Sequence, residues 1–316
     1  MTRIRIATRR SPLALWQAEH VAALLRARHP GLAVELVPMT TSGDQQAEGA
    51  LLGGKGWFVK ELEEALLDQR ADVAVHSMKD VPAVQPAGLA LAAFLAAEDP
   101  RDAFVSNAHA SLRELPRGAC VGTSSLRRQA QLRAERPDLA VGELRGNVGT
   151  RLARLDEKKF DAVLLACAGL ARLGLAARIT EPLAVERFVP AIGQGIIGIE
   201  CREDDAATRA RVGALNDASS ATRLAAERAM NAQLGGSCTV PVAGHAVVAG
   251  DRVRLTGLVA APDGSRVVRD TLEGSAASAA ELGSALAERL LAAGGAPILR
   301  ALGALPPPDD RSRGRA

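Results

Sequence analysis

Three observations predict an α/β protein of two similar lobes followed by a small α+β domain. The chain has 316 residues, more than one compact core usually organises. Short strand-like segments alternate with amphipathic helical stripes, and this alternation restarts after Asp99-Pro100-Arg101. From about Ser219 the pattern changes to a helix, paired strands and a last helix.

Each element has a local reason. Arg3 to Thr8 alternates polar and apolar as a strand does. Ser11-Pro12 supplies an N-cap and an N1 proline, and Leu13, Trp16, Val21, Leu24 and Leu25 then recur at helical spacing until Pro30-Gly31. Ala33 to Val37 reads as a second strand. The Gly-rich loop Gly53 to Gly56 precedes a helix carrying Phe58, Leu62, Leu66 and Leu67, and Asp72 to His76 is a short strand. The order predicts βαβ units and a parallel-rich sheet. In the second half, strands are expected at Ala119 to Gly122, Leu139 to Leu144 and Asp161 to Ala166. Helices are expected at Ser125 to Arg136, from Asn147 to about Lys158, and near Leu170. The segment Pro190 to Gly198 is positioned to return the chain to the first half. The last domain is expected to hold a helix at Ala221 to Leu234 and antiparallel strands within Val247 to Val268 around Pro262-Asp263-Gly264. A final helix is expected at Ala276 to Ala293. The expected boundaries are 1–97 with 194–216, 98–193 and 217–305, then a frayed tail over 306–316.

Composition narrows the function. Hydrophobic residues at 47% and charged residues at 24% are ordinary for a globular protein and exclude a disordered or collagen-like chain. A net charge of +3 and 2% aromatic residues argue against nucleic-acid binding. Of 39 basic residues only five are Lys, which makes a Lys inside a motif informative. Cys120, Cys167, Cys201 and Cys238 form no CxxC pair, and the histidines have no spaced partners, so no metal site is expected. No secretory leader and no membrane span are read, so a cytoplasmic protein is expected.

Three strand-to-helix junctions carry Arg, hydroxyls and helix N-termini. They are Arg5 to Pro12, with Arg9 and Ser11; Gly122 to Arg128, with Thr123, Ser125, Arg127 and Arg128; and Leu144 to Arg151, with Arg145, Gly146, Asn147 and Arg151. Two arginines in a first helical turn oppose the macrodipole, so an anion there relieves a local cost. If the halves face each other, the junctions make a site for several carboxylates. His76 to Asp80 follows a strand and places Ser77, Lys79 and Asp80 where open α/β sheets collect ligands. His76 is read as a structural hydrogen bonder rather than a general base. Cys238, in Gly235 to Pro241, reads from its surroundings alone as an inert loop thiol.

The stretches RIATRRSPLALWQA, GGKGWFVKELEEALLDQRADVAVHSMKDVP, EDPRDAF, GTSSLRRQAQL, LRGNVGTRL, PAIGQGIIGIECR and AERAMNAQLGGSC, in that order, resemble the porphobilinogen deaminase family. The resemblance runs from Arg5 to about Pro241, and more loosely to residue 300. It implies two lobes like those of type II periplasmic solute-binding proteins, plus a third domain. It implies an enzyme that condenses four porphobilinogen molecules with loss of four ammonia and releases linear 1-hydroxymethylbilane for tetrapyrrole synthesis. The implied cofactor is a dipyrromethane held as a thioether on Cys238, whose thiol is needed once, against an electrophilic azafulvene. Asp80 matches the catalytic aspartate. Arg9, Ser11, Ser77, Lys79, Thr123, Ser125, Arg127, Arg128, Arg145, Gly146, Asn147 and Arg151 match positions that contact cofactor or substrate. Arg172 matches an arginine implicated in chain elongation, and a monomer is the family expectation. Gln45 to Leu52 has no clear counterpart and is expected to be a mobile lid. The alternative is a non-catalytic two-lobed binding protein for a small carboxylate, against which the third domain and the missing leader argue.

Overall fold

The computed structural model describes residues 3–41, 59–235 and 240–306. The expected lid, the loop with Cys238 and the expected tail after Pro306 lie outside them. The first lobe begins with strand β1 (Arg3–Arg9), helix α1 (Pro12–Arg28), β2 (Ala33–Met39), α2 (Lys60–Leu67) and β3 (Val73–Ser77). A 3₁₀ turn over Met78–Asp80 then leads to β4 (Leu89–Phe94). Ser11 caps α1 by accepting from the Ala14 amide at 3.4 Å. Ala14, Ala18, Val21 and Leu25 are buried at helical spacing along α1. The helix covers Ile4, Ile6, Val73 and Val75 of the sheet, and each fully buried aliphatic contributes about 1.5–3 kcal/mol.

The second lobe holds β5 (Asp102–Val105), β6 (Cys120–Gly122), α3 (Leu126–Glu135), β7 (Ala140–Gly142), α4 (Val148–Asp156), β8 (Ala162–Ala166), α5 (Cys167–Arg172) and β9 (Glu181–Leu183). The chain then returns as β10 (Ile197–Arg202), followed by α6 (Ala206–Gly213). Strand order in the first sheet is β2-β1-β3-β10-β4, and in the second β7-β6-β8-β5-β9. The two orders are equivalent, with β10 in the position that β5 holds in the other lobe.

Both sheets are parallel-rich, as expected: four strands of each run in one direction and a single strand, β10 or β5, runs against them. β1 pairs in parallel with β2 and β3, but β10 is antiparallel to β3 and β4. Likewise β6 is parallel to β7 and β8, while β5 runs against β8 and β9. The physical reason is the double crossing between lobes: β5 and β10 are each the first strand after a crossing, and each enters its sheet from the far end.

The third domain contains α7 (Ala218–Gln233), β11 (Val242–Ala249), β12 (Arg252–Ala260), β13 (Val267–Ser275), α8 (Ala279–Leu290) and α9 (Ala296–Ala301). Its sheet is fully antiparallel, with the Pro262 to Gly264 turn between β12 and β13. Three strands stand where the sequence reading placed strands only within Val247 to Val268. A further helix follows the expected final one: Gly294, at φ +108, kinks the chain into α9. Ala243, Leu258 and Ala260 pack this domain on Ala130 and Val189 of the second lobe. Leu224 packs with Met78, Val81 and Ile196 against the first lobe.

Candidate active site

The site is built at strand ends, where each backbone stops and a helix or turn begins. β3 delivers Ser77, whose hydroxyl accepts from the Gln17 side chain at 2.8 Å, and the 3₁₀ turn then presents Lys79 and an exposed Asp80. Burial pulls the Lys79 ammonium down to about 8. Asp80 and Asp102 oppose that shift, whereas Arg128 and Arg127 reinforce it. Lys79 of the first lobe is therefore within electrostatic reach of the second-lobe cluster.

The β6 end supplies that cluster. Thr123 is buried, and its hydroxyl accepts from the Ser125 amide at 3.2 Å. Ser125 caps α3 by accepting from the Arg128 amide at 3.4 Å. Arg127 and Arg128 are buried, and the anion that relieves their position in the first turn belongs to the protein. The fully buried Asp102 of β5 accepts from Arg127 at 2.7 and 3.1 Å and from Arg128 at 2.9 and 2.7 Å. Burial pushes the Asp102 carboxyl up, but the two guanidiniums outweigh it and hold it far below the usual carboxylate range. Arg127 also donates to the Val189 carbonyl and Arg128 to the Leu164 carbonyl. Each arginine thus spends three hydrogen bonds on these partners, out of five N–H groups.

At the third junction, Gly146 takes φ +100 and Asn147 caps α4 by accepting from the Thr150 amide at 2.9 Å. Arg151 donates to the Gly146 carbonyl at 2.7 Å, and burial pulls its guanidinium down to about 10. Arg128 adds to that shift and Asp80 opposes it. Asp80, Lys79, Arg127, Arg128, Arg151 and Asp102 therefore form one electrostatic unit drawn from both lobes.

Other predicted residues stand elsewhere. Arg145 is more exposed and pairs with Glu143 at 2.5 Å. Arg9 closes β1, next to the Ser11 cap. Arg172 is buried at the junction of the lobes, bonded to Glu98 and to the Gly195 carbonyl. His76 bonds the buried Glu200 at 3.0 Å, the structural role expected of it.

Helix α7 leads to the Cys238 loop and is anchored twice. The buried Glu227 accepts from the Gly193 amide at 2.6 Å, the Ala246 amide at 2.8 Å and Arg223 at 2.7 Å. Arg228 donates to the Pro82 and Ala83 carbonyls at 2.8 and 3.0 Å, just beyond Asp80. Helix α7 is thereby tied to the segment that follows the Asp80 turn. A cavity of about 540 Å³ lies between the end of α7 and the segment after that turn, lined by Pro82, Gln85, Ala232 and Gly235 among others.

Sequence reasoning missed Asp102, Glu98, Gln194 and Glu227. The stretch EDPRDAF was visible as a motif, and two arginines opposing a helix dipole were a signal that an anion was needed nearby.

Fold and site together define a two-lobed α/β protein with a cationic site between its lobes and a third domain anchored beside it. The chain belongs to the porphobilinogen deaminase family: residues 4–210 match the model of the porphobilinogen deaminase dipyrromethane cofactor-binding domain, and residues 221–292 that of the porphobilinogen deaminase C-terminal domain. This is a family of transferases in porphyrin and tetrapyrrole synthesis that use porphobilinogen. Among solved structures the chain is similar to a putative methionine-binding lipoprotein from Bacillus subtilis, at 15% identity and TM-score 0.43 over 68% of this chain and 90% of that one. It is also similar to the BvgS VFT2 domain of Bordetella pertussis, at 16% identity and TM-score 0.43 over 67% and 85%. The methionine-binding protein MetQ matches at 17% identity and TM-score 0.42 over 68% and 89%. No helix among the described residues is long and apolar enough to cross a membrane.

The donor set fits a dipyrromethane, whose pyrroles each carry an acetate and a propionate. Among the described residues, Lys79, Arg127, Arg128 and Arg151 gather against two carboxylates, Asp80 and Asp102. The depressed Lys79 and Arg151 are desolvated cations whose charge an arriving carboxylate stabilises.

Proposed function

We propose that this chain is a hydroxymethylbilane synthase, joining four porphobilinogen molecules head to tail with loss of four ammonia and releasing the linear tetrapyrrole with water. The observation that carries the reading is the exposed carboxylate of Asp80 within a cationic unit drawn from both lobes, in a chain of this family. We further propose domain limits of 1–97 with 194–216, 98–193 and 217–305.

Asp80 sits on a short turn, within electrostatic reach of Lys79 and of Arg151 from the other lobe. Loss of ammonia from a substrate leaves a cation delocalised over its pyrrole. A carboxylate accepting the pyrrole N–H stabilises that cation and takes up the proton released as aromaticity returns. Lys79 is chiefly protonated at neutral pH and holds a side-chain carboxylate. Arg151 does the same from the opposite lobe, and Arg127 and Arg128 offer the N–H groups that Asp102 and the two carbonyls leave over. Ser11, Ser77, Thr123, Ser125, Gly146 and Asn147, with Arg9 and Arg145 outside the cationic unit, are proposed as further contacts because they match family positions. When bound, the dipyrromethane supplies the free pyrrole position to which the first substrate is joined.

Cys238 is the proposed attachment point. Burial pushes the Cys167 thiol up to about 12 and the Cys201 thiol up to about 11, and it also raises Cys120, so all three are poor nucleophiles. Cys238 lies three residues beyond Gly235, in the segment that follows α7, the helix tied through Arg228 to the residues after Asp80. The test is to supply porphobilinogen and count products. Four ammonia per linear tetrapyrrole are expected; substrate bound without ammonia release refutes the enzyme reading.

A further inference from the structure

The chain crosses between lobes twice, through residues 95–101 and 184–196, and the two crossings lie side by side. The Glu98 amide donates to the Gly195 carbonyl at 3.1 Å, and Gln194 donates to the Pro100 carbonyl at 2.6 Å. The approach requires glycine: Gly195 has φ +90, and a Cβ there would stand 2.5 Å from the Glu98 carbonyl oxygen.

One side chain grips both crossings. Arg172, at the end of α5 in the second lobe, donates from Nε to Glu98 at 2.9 Å and from Nη2 to the Gly195 carbonyl at 2.8 Å. Trp16 of the first lobe covers the guanidinium, with its ring centroid 5.9 Å from Cζ, and is itself stacked on His20 at 5.0 Å. Arg172 therefore touches the first lobe and both crossings from the second. Its charge is already met by Glu98, so any ligand carboxylate has to compete with that partner.

We propose that Arg172 is a positioning residue that clamps the two crossings and sets the angle between the lobes, in place of a contact to a substrate carboxylate. Its consequence for catalysis rests on the proposed function: a product that lengthens in one site needs the lobes to shift as units are added, and the clamp resists that shift. The clamp itself is a property of the fold.

Glu98 separates the two roles by sign. If Arg172 holds substrate, Glu98 competes for it, and Glu98→Gln frees the arginine and lowers KM. If Arg172 is a clamp, Glu98→Gln weakens it and acts as Arg172→Gln does. The experiment uses the full-length holoenzyme carrying Glu98→Gln, Arg172→Gln or Arg172→Lys. Hydrogen exchange over 95–101 and 184–196 is measured without substrate. KM and the distribution of enzyme-bound chain lengths, by intact mass, are measured with porphobilinogen. Both Gln variants are expected to speed exchange in the crossings about tenfold or more, the effect of losing one charge-assisted hydrogen bond. Both should displace the chain-length distribution in the same direction, with KM not lowered. Exchange unchanged in Glu98→Gln, or KM lowered by Glu98→Gln and raised by Arg172→Gln, overturns the proposal. If Arg172→Gln fails to fold, Arg172→Lys, which keeps the charge but not both bonds, takes its place in the comparison. If wild-type holoenzyme adds no substrate units, the functional reading fails, and the exchange measurement still decides the clamp.

Discussion

Replacing Asp102 by Asn removes the only carboxylate bonded to both Arg127 and Arg128 among the described residues. Asp102 is fully buried and accepts four hydrogen bonds from the two arginines and a fifth from Gln194 at 3.1 Å. Asn keeps one acceptor oxygen but turns an NH₂ toward guanidinium donors, and two buried cations lose their counter-charge. Breaking a buried ion pair from one side costs about 3–5 kcal/mol. With an unfolding entropy of about 2.1 cal/mol/K per residue, 4 kcal/mol lowers Tm by about 6 °C if the whole chain melts together, and by about 20 °C if the second lobe melts alone. Calorimetry of the holoenzyme at neutral pH reads this directly. Because the Asp102 carboxyl is held below its ordinary value, its stabilisation is present above that ordinary value and lost as pH falls below it. The Tm difference between wild type and Asp102→Asn should therefore narrow in acid. A loss under about 2 °C at neutral pH, or a gap that does not change with pH, refutes the assignment of Asp102 as the counter-ion of both arginines.

Asp80→Ala should slow turnover by about 10²-fold or more, while the exposed position keeps stability within about 0.5 kcal/mol of wild type. A near-wild-type rate removes Asp80 from the chemistry. For Lys79, burial lowers the unliganded pKa to about 8 and a bound carboxylate raises it, so binding takes up a proton as pH climbs above 8. KM should accordingly rise with pH above 8 in the wild type by up to about tenfold per pH unit, and stay flatter in Lys79→Arg. Identical pH profiles in the two proteins rule out this role.

Much of the fold was legible because its signals are local. Ser11-Pro12, Ser125 and Asn147 announced three helix starts, and each caps its helix through a side-chain hydrogen bond. The alternation of strand and helix exposed the two lobes. What was hidden depended on distant partners. Strand β10 joins the first sheet more than a hundred residues after β3, and nothing in Ile197 to Arg202 states which neighbour it will have. The same is true of the site. The Arg127-Arg128 pair signalled a missing anion, but that anion is 25 and 26 residues away on another strand, and only packing reveals that it belongs to the protein. Arg172 read as one more cation for substrate because its matched partner, Glu98, sits in a crossing whose course follows from the sheet order.

In the proposed function, the cationic unit around Asp80 serves a dipyrromethane covalently held by Cys238. Intact mass of the purified holoenzyme, followed by peptide mapping, tests it most directly. The account predicts an added mass equal to one dipyrromethane, confined to the peptide that contains Cys238 and absent from Cys238→Ala. A fully active chain at its unmodified mass, or the adduct on Cys120, Cys167 or Cys201, would contradict it.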